Sequence, residues 1–232
     1  MRVDYRKFAF VLLFVGISII AERINFSQLW GANNQFFTLF QFFGPIAGGF
    51  LGMIWGPVSV LVAELINFVL LGKTISLLNL LRLLPMVIAA FYFGAVRDDR
   101  KWAKTTWAIA PICIAIFLAH PEGRAAWYFA IYWTIPLLAM LPSIRDYLFA
   151  RSLGATFTAH AVGGALWIWS TNMTAAQWTA LVPIVAYERL LFAIGIAVSY
   201  VIFTIVLDRI PAAAVLRLEK RYAFSRTRTQ RV

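Results

Sequence analysis

FFTLFQFFGPIAGGFLGMIWGPVSVLVAELINFVLLGKTISLLNLLR, residues 36–82, is the stretch whose reading decides the fold. Four of its glycines, Gly44, Gly48, Gly52 and Gly56, fall at steps of four. On a helix that spacing makes one smooth stripe. In lipid, small residues on one stripe let a neighbouring helix approach closely. Pro45 and the Gly56-Pro57 pair interrupt the run, and behind the break stand Glu64, Asn67, Asn79 and Arg82 in otherwise apolar sequence. Polar groups are costly inside a membrane and face a partner or a watery cavity. A close-packed stripe, a break and a polar cluster are what a substrate site within a helical membrane protein requires. Helix packing with one structural ion pair is the plainer alternative.

The rest of the chain sets this stretch in a bilayer. Of 232 residues, 62% are hydrophobic and 13% charged, and mean hydropathy is +0.78, which places the chain among multi-span membrane proteins rather than soluble domains. Eight apolar segments follow one another: 8–24, 36–54, 57–72, 76–96, 105–119, 125–141, 153–170 and 180–208. They read as helices, because barrel strands would be alternating runs of about ten residues. The third and fifth are the weakest spans, and the second and third together suit a broken helical hairpin. The basic, apolar N-terminal stretch reads as a retained first span. The expected fold is therefore all-α, a polytopic helical membrane bundle of six to eight spans over residues 1–210. A basic cytoplasmic tail follows at 211–232.

Charge fixes the expected orientation. The net charge of +11 would suggest nucleic acid in a soluble protein. Here the positive residues sit between and beyond the apolar segments, so the positive-inside bias explains them and no nucleic-acid partner is expected. With both termini cytoplasmic, the inner loops hold Arg2, Arg6, Lys7, Arg97, Arg100, Lys101, Lys104, Arg145 and Arg151, together with the tail. The outer loops hold only Arg23, Lys73 and Arg124. The tail suits anchorage on anionic lipid.

This topology puts polar residues from several segments at one depth, in the outer half of the membrane. Glu64 and Asn67 share a helix face by their spacing of three, as do Asn79 and Arg82. Glu64 and Arg82 are the expected ion pair, since a buried charge without a partner is strongly disfavoured. If a cavity separates them instead, they would orient a polar or zwitterionic substrate. Glu188 and Arg189 are adjacent and point about 100° apart, so one of them, Glu188, is expected at the site. His160 shares a face with Thr156 and Gly163-Gly164 and suits either an interhelical hydrogen bond or a site group. The substrate-binding candidates are Glu64, Asn67, Asn79, Arg82, His160 and Glu188.

Other chemistry is thinly represented. His120 and Glu122 form at most a weak metal pair. The single cysteine, Cys113, offers neither an internal disulfide nor a cysteine metal site. No phosphate-binding loop, nucleophile motif or metal-ligand motif is present, so no catalytic residue, metal or cofactor is expected. Aromatics near segment ends, among them Trp30, Trp102, Trp107, Trp127 and Trp178, suit an interfacial belt. Trp167 and Trp169 could also stack on a flat ligand.

FFGPIAGGFLGMIWGPVSVLVAEL (42–65), followed by IAAFYFGAVRDDR (88–100), resembles the substrate-binding (S) components of energy-coupling factor transporters, loosely and over about residues 36–101. The resemblance implies a small multi-pass protein of the cell membrane that captures a micronutrient from outside. It would work with a membrane coupling subunit and two cytoplasmic ATPases. Two other readings stand beside it. One is an integral membrane enzyme acting on a lipid or prenyl substrate, with His160 and Glu188 as acid and base. The other is a structural or sensory membrane subunit whose polar groups only join helices.

Overall fold

The computed structural model describes residues 5–31, 36–98 and 104–209. The tail at 211–232, Trp102, Arg2, Arg100 and Lys101 lie outside the described residues. The fold is mostly helical. Helix α1 (Tyr5–Ala21) leads into a short antiparallel hairpin, β1 (Asn25–Gln28) and β2 (Phe36–Thr38), and a 3-10 turn at Leu39–Phe42. Then come α2 (Ile46–Leu70), α3 (Leu77–Leu81), α4 (Leu84–Asp98), α5 (Ile109–Ala119) and α6 (Pro121–Ala125). A 3-10 stretch at Trp127–Thr134, α7 (Ile135–Leu138), α8 (Leu148–Trp167) and the long α9 (Ala175–Arg209) complete the chain. The hairpin corrects a reading that had helices alone. Residues 25–38 carry no strand alternation, and the pairing there includes an irregularity between Asn25 and Ser27.

Residues Ile46–Leu70, Leu77–Arg97 and Ala175–Leu207 are long and apolar enough to cross a membrane. The outward faces agree with that environment. Leu12, Ile20, Ile54, Trp55, Val62, Val69, Leu190, Val198 and Ile202 are all well exposed, as side chains that meet lipid should be. The first of the three long stretches is not one straight rod. Gly52 has φ 83° and ψ 179°, a conformation open essentially to glycine alone, and the helix folds back there.

The fold-back corrects the glycine stripe. Gly44, Gly48, Gly52 and Gly56 do not line one helix face. Gly52 is the turn, and Gly48 and Gly56 meet across it: a methyl on Gly56 would strike the backbone of Gly48. Gly94 of α4 closes the group, since a methyl there would lie 2.8 Å from the Gly48 carbonyl oxygen and 3.0 Å from Cα of Met53. The break falls at Gly52 rather than at Gly56-Pro57, and Pro57 lies about one turn into the second leg. The second and third apolar segments are thus two legs of one broken hairpin packed against α4. The fifth is the 11-residue α5, about 17 Å long at 1.5 Å per residue. The sixth is mostly 3-10 and irregular.

Two apolar cores result. One joins α1, the 3-10 turn at 39–42, α2, α4 and the later part of α9, with the rings of Phe10, Phe14, Phe40, Phe43 and Phe50 in stacked, tilted and edge-on contact in its centre. The other joins α5, the 3-10 stretch at 127–134, α8 and the early part of α9 around Phe117, Phe129, Trp133 and Trp178. Helices α4, α8 and α9 run alternately up and down between them. At one end, Arg151 at the start of α8 sets its guanidinium 4.6 Å from the Phe93 ring and 5.5 Å from Tyr200. Arg151 is buried, not a loop charge as its neighbourhood in the sequence suggests. The polar candidates lie at the opposite end.

Candidate functional site

A cavity of about 180 Å³ lies at the seam between the two cores. Its walls take Met86 and Ala159 from the first core and Phe129, Trp178 and Val185 from the second. The β1–β2 hairpin covers it with Gln28, Trp30, Phe36 and Phe37. Of the six sequence candidates, Glu64, Arg82, His160 and Glu188 line this cavity. A smaller, polar chamber of about 90 Å³ adjoins it and is lined by Asn67 and Asn79, with Glu22, Thr38 and Lys73. Phe36, Gln41, Glu64 and Arg82 line both, so the two spaces share one doorway.

The expected Glu64–Arg82 ion pair is absent: no such contact within 4 Å joins these two described residues. Glu64 is buried on α2, and its Oε2 has no hydrogen-bond partner. Arg82 caps the short α3 and lays its guanidinium over Trp167, 5.6 Å from the ring centroid. That distance is within the range of a cation–π contact. The physical reason for the separation is the chain path. Glu64 sits late on the second leg of α2, and a whole loop with its own hydrogen bonds intervenes before Arg82.

Asn67 and Asn79 differ from their expected roles in different ways. Asn67 donates Nδ2–H to the Ser18 carbonyl of α1 at 3.3 Å, while its Oδ1 is buried without a partner. Asn79 donates Nδ2–H to the Thr74 carbonyl at 2.9 Å and its backbone N–H to the Ser76 hydroxyl that caps α3, so it shapes the 74–79 loop.

His160 rests on α8 between aromatic rings. Trp133 Nε1–H donates to its Nδ1 at 3.0 Å. Nδ1 is therefore the acceptor and Nε2 bears the proton, a tautomer assigned by that hydrogen bond. The interhelical bond and the cavity position coexist, and Nε2–H is left to donate to a guest. Trp133 also packs directly on Gly164, where an added methyl would lie 2.5 Å from Cζ2. Trp133→Phe should leave Nδ1 unpaired and cost about 1–3 kcal/mol. A lowered thermal transition of the purified protein in detergent checks it, and an unchanged transition would show that the bond contributes nothing.

Glu188 and Arg189 correct a second expectation. Both are buried and both line the cavity. Two adjacent helical side chains can do this because α9 is enclosed on more than one side. The Ser27 hydroxyl of the hairpin donates to Glu188 Oε1 at 2.6 Å, and Oε2 faces Arg189 Nη2 at 3.6 Å. The Arg189 guanidinium stands 4.6 Å from the Phe37 ring and 4.7 Å from Phe192. Its Nε and Nη2 make no hydrogen bond. Glu188 and His160 line one cavity without a hydrogen bond or ion pair between them.

The weak metal pair dissolves. His120 Nδ1 accepts from the Glu122 amide, and Glu122 Oε2 accepts from the Ala175 amide at 2.6 Å, capping the start of α9. Among the described residues, no three potential metal ligands gather.

Glu22, Lys73, Gln28, Gln41 and Ser27 were not singled out in the sequence. Glu22 and Lys73 lie in connections, Ser27 and Gln28 in the short β1, and Gln41 in the 3-10 turn, so no long helical period marks a face for any of them. Glu22, just beyond α1, is half-buried. Burial pushes its carboxyl above the ordinary 4.5, while Lys73, the Thr38 hydroxyl and Arg82 pull it back. A carboxyl raised on folding binds its proton more tightly in the native state. Its stabilising share is full below about pH 4.5 and fades as pH rises through the raised value. Glu22→Gln should flatten that part of a thermal-stability profile, and an undiminished slope would assign it to another group.

No protein-family model matches the chain, and no solved structure matches it. The resemblance to S components therefore rests on the residue pattern alone. A Methanocaldococcus jannaschii protein bearing the name uncharacterized protein MJ0923 is 26% identical over 221 residues, which cover 88% of this chain and 73% of that protein. The chain is thus similar to a second protein along most of its helical length.

Proposed function

We propose that the protein is a multi-pass protein of the cell membrane that captures a small polar solute from the outer side, as the substrate-binding subunit of a multi-subunit importer. One observation carries the reading. A cavity large enough for a ring-sized guest gathers polar groups from α2, the end of α3, α8 and α9, and several of them lack a partner. Unpartnered polar groups in a low-dielectric setting are costly. A site that keeps them is one that a ligand completes. An enclosed space of 150 Å³ already holds benzene, so about 180 Å³ admits a single substituted ring.

The orientation follows from charge. Arg97, Lys104, Arg145 and Arg151 stand towards the end opposite the cavity, which suits a cytoplasmic placement of that end, and of both termini, by the positive-inside bias. The ATP-driven partners of the reading would supply what this chain lacks, since its sequence has no phosphate-binding loop.

The test is purification of the tagged protein from its native membrane in gentle detergent, with mass spectrometry of co-purifying proteins and small molecules. A water-soluble small molecule together with a membrane subunit and ATPases is the expected result. The protein alone with a lipid or prenyl species would overturn the reading in favour of an enzyme.

A further inference from the structure

We propose that the captured solute is an aromatic zwitterion of the α-amino-acid type, its ammonium–carboxylate head in the polar chamber and its ring in the aromatic one. The inference rests on the capture reading and adds the chemical class. Four formal charges line the 90 Å³ chamber: Glu22 and Glu64, Lys73 and Arg82. Two are acids and two are bases, yet no ion pair within 4 Å joins any of them. Opposite charges left unpaired around a shared space match a guest that carries both signs at once. A simple cation would satisfy the acids and leave Lys73 and Arg82 uncompensated, and a simple anion would do the reverse.

The head fits by size and position. A volume of about 90 Å³ is several times the roughly 10–15 Å³ that a single water needs, enough for an ammonium and a carboxylate on one carbon. Glu64 and Arg82 stand at the doorway, so a head held there points its substituent into the larger cavity.

That larger space is shaped for a ring. Trp30, Phe36, Phe37, Phe129, Trp167 and Trp178 supply its walls. Flat π-faces favour offset or edge-on contact with another ring. At its far side His160 offers Nε2–H, a donor for a ring nitrogen or hydroxyl.

The test titrates the full-length protein in lipid nanodiscs by calorimetry. The probes are L-phenylalanine, L-tryptophan and L-histidine, each beside its amine without a carboxylate and its acid without an amine, with L-alanine as the ringless zwitterion. At least one aromatic amino acid is expected to bind saturably. Both of its one-charge analogues and L-alanine should bind at least tenfold more weakly. Glu64→Gln should narrow the gap to the acid without an amine, and Arg82→Gln the gap to the amine without a carboxylate. Analogues that bind as well as the zwitterion would overturn the inference, as would failure of all three amino acids. A co-purified water-soluble molecule lacking either charge would overturn it while leaving capture standing. A preparation with no small molecule at all would remove the capture reading itself.

Discussion

Gly48→Ala should be among the most damaging single changes in the chain, lowering stability by about 3 kcal/mol or more and cutting the yield of monodisperse protein. The added methyl would overlap the Ala90 carbonyl oxygen and stand 2.8 Å from the Gly94 amide nitrogen. Overpacking of a core costs about 1–3 kcal/mol when side chains can yield. Here the obstacle is backbone on α4, so no rotamer change relieves it and two elements must part. The same reasoning covers Gly56, whose methyl would strike the Gly48 backbone from the other leg. Gly16→Ala is the control, because nothing lies within 4 Å of its new methyl and its position on α1 is regular. That change should be neutral or slightly stabilising, as removing a helical glycine is elsewhere. Thermal unfolding of both variants in detergent, with size-exclusion profiles, makes the comparison. Equal transitions for Gly48→Ala and Gly16→Ala would show that the hairpin does not hold the close approach described.

These glycines also mark what could be read beforehand. The steps of four and the flanking prolines announced a close approach and a break. Pro45 and the Gly56-Pro57 pair were the interruptions visible in the sequence, yet the break falls at Gly52. The choice among equally permissive glycines is made by α4, whose Ala90 and Gly94 sit far along the chain, so no local signal carries it. Charge asymmetry and helix length led to the expectation that Glu64, Arg82, His160 and Glu188 belong together, and the structure gathers those four around one cavity. Their pairing was not legible. Whether Glu64 meets Arg82 depends on the path of residues 71–81, which the hydrogen bonds of Asn79 set. The lid over the cavity escaped because residues 25–28 and 36–38 pair as two short, irregular strands. Its placement comes from Ser27 on Glu188 and from the Trp167 Nε1–H bond to the Trp30 carbonyl at 3.0 Å, both contacts of very long sequence separation.

Glu64→Gln is the change that divides capture from helix glue, because the two readings give opposite signs. The residue is buried in an apolar leg, its Oε2 is unpartnered, and no base lies within ion-pair distance. A carboxylate so placed is a strain on the fold, and its neutral isostere should relieve some of it. The variant should therefore unfold at the same temperature as the natural protein or slightly higher. Ligand retention should fall in the same preparation. A charge-assisted hydrogen bond contributes about 1.5–3 kcal/mol, so its loss corresponds to a roughly 10- to 150-fold weaker affinity. Thermal unfolding and quantitation of co-purified solute, measured on one sample, report both quantities. If Glu64 instead joins helices through contacts formed within the bilayer, the transition temperature drops and the solute stays. A natural protein that keeps a costly, unsatisfied carboxylate at the junction of two cavities has a use for its free oxygen, and stability gained with capture lost is the signature of that use.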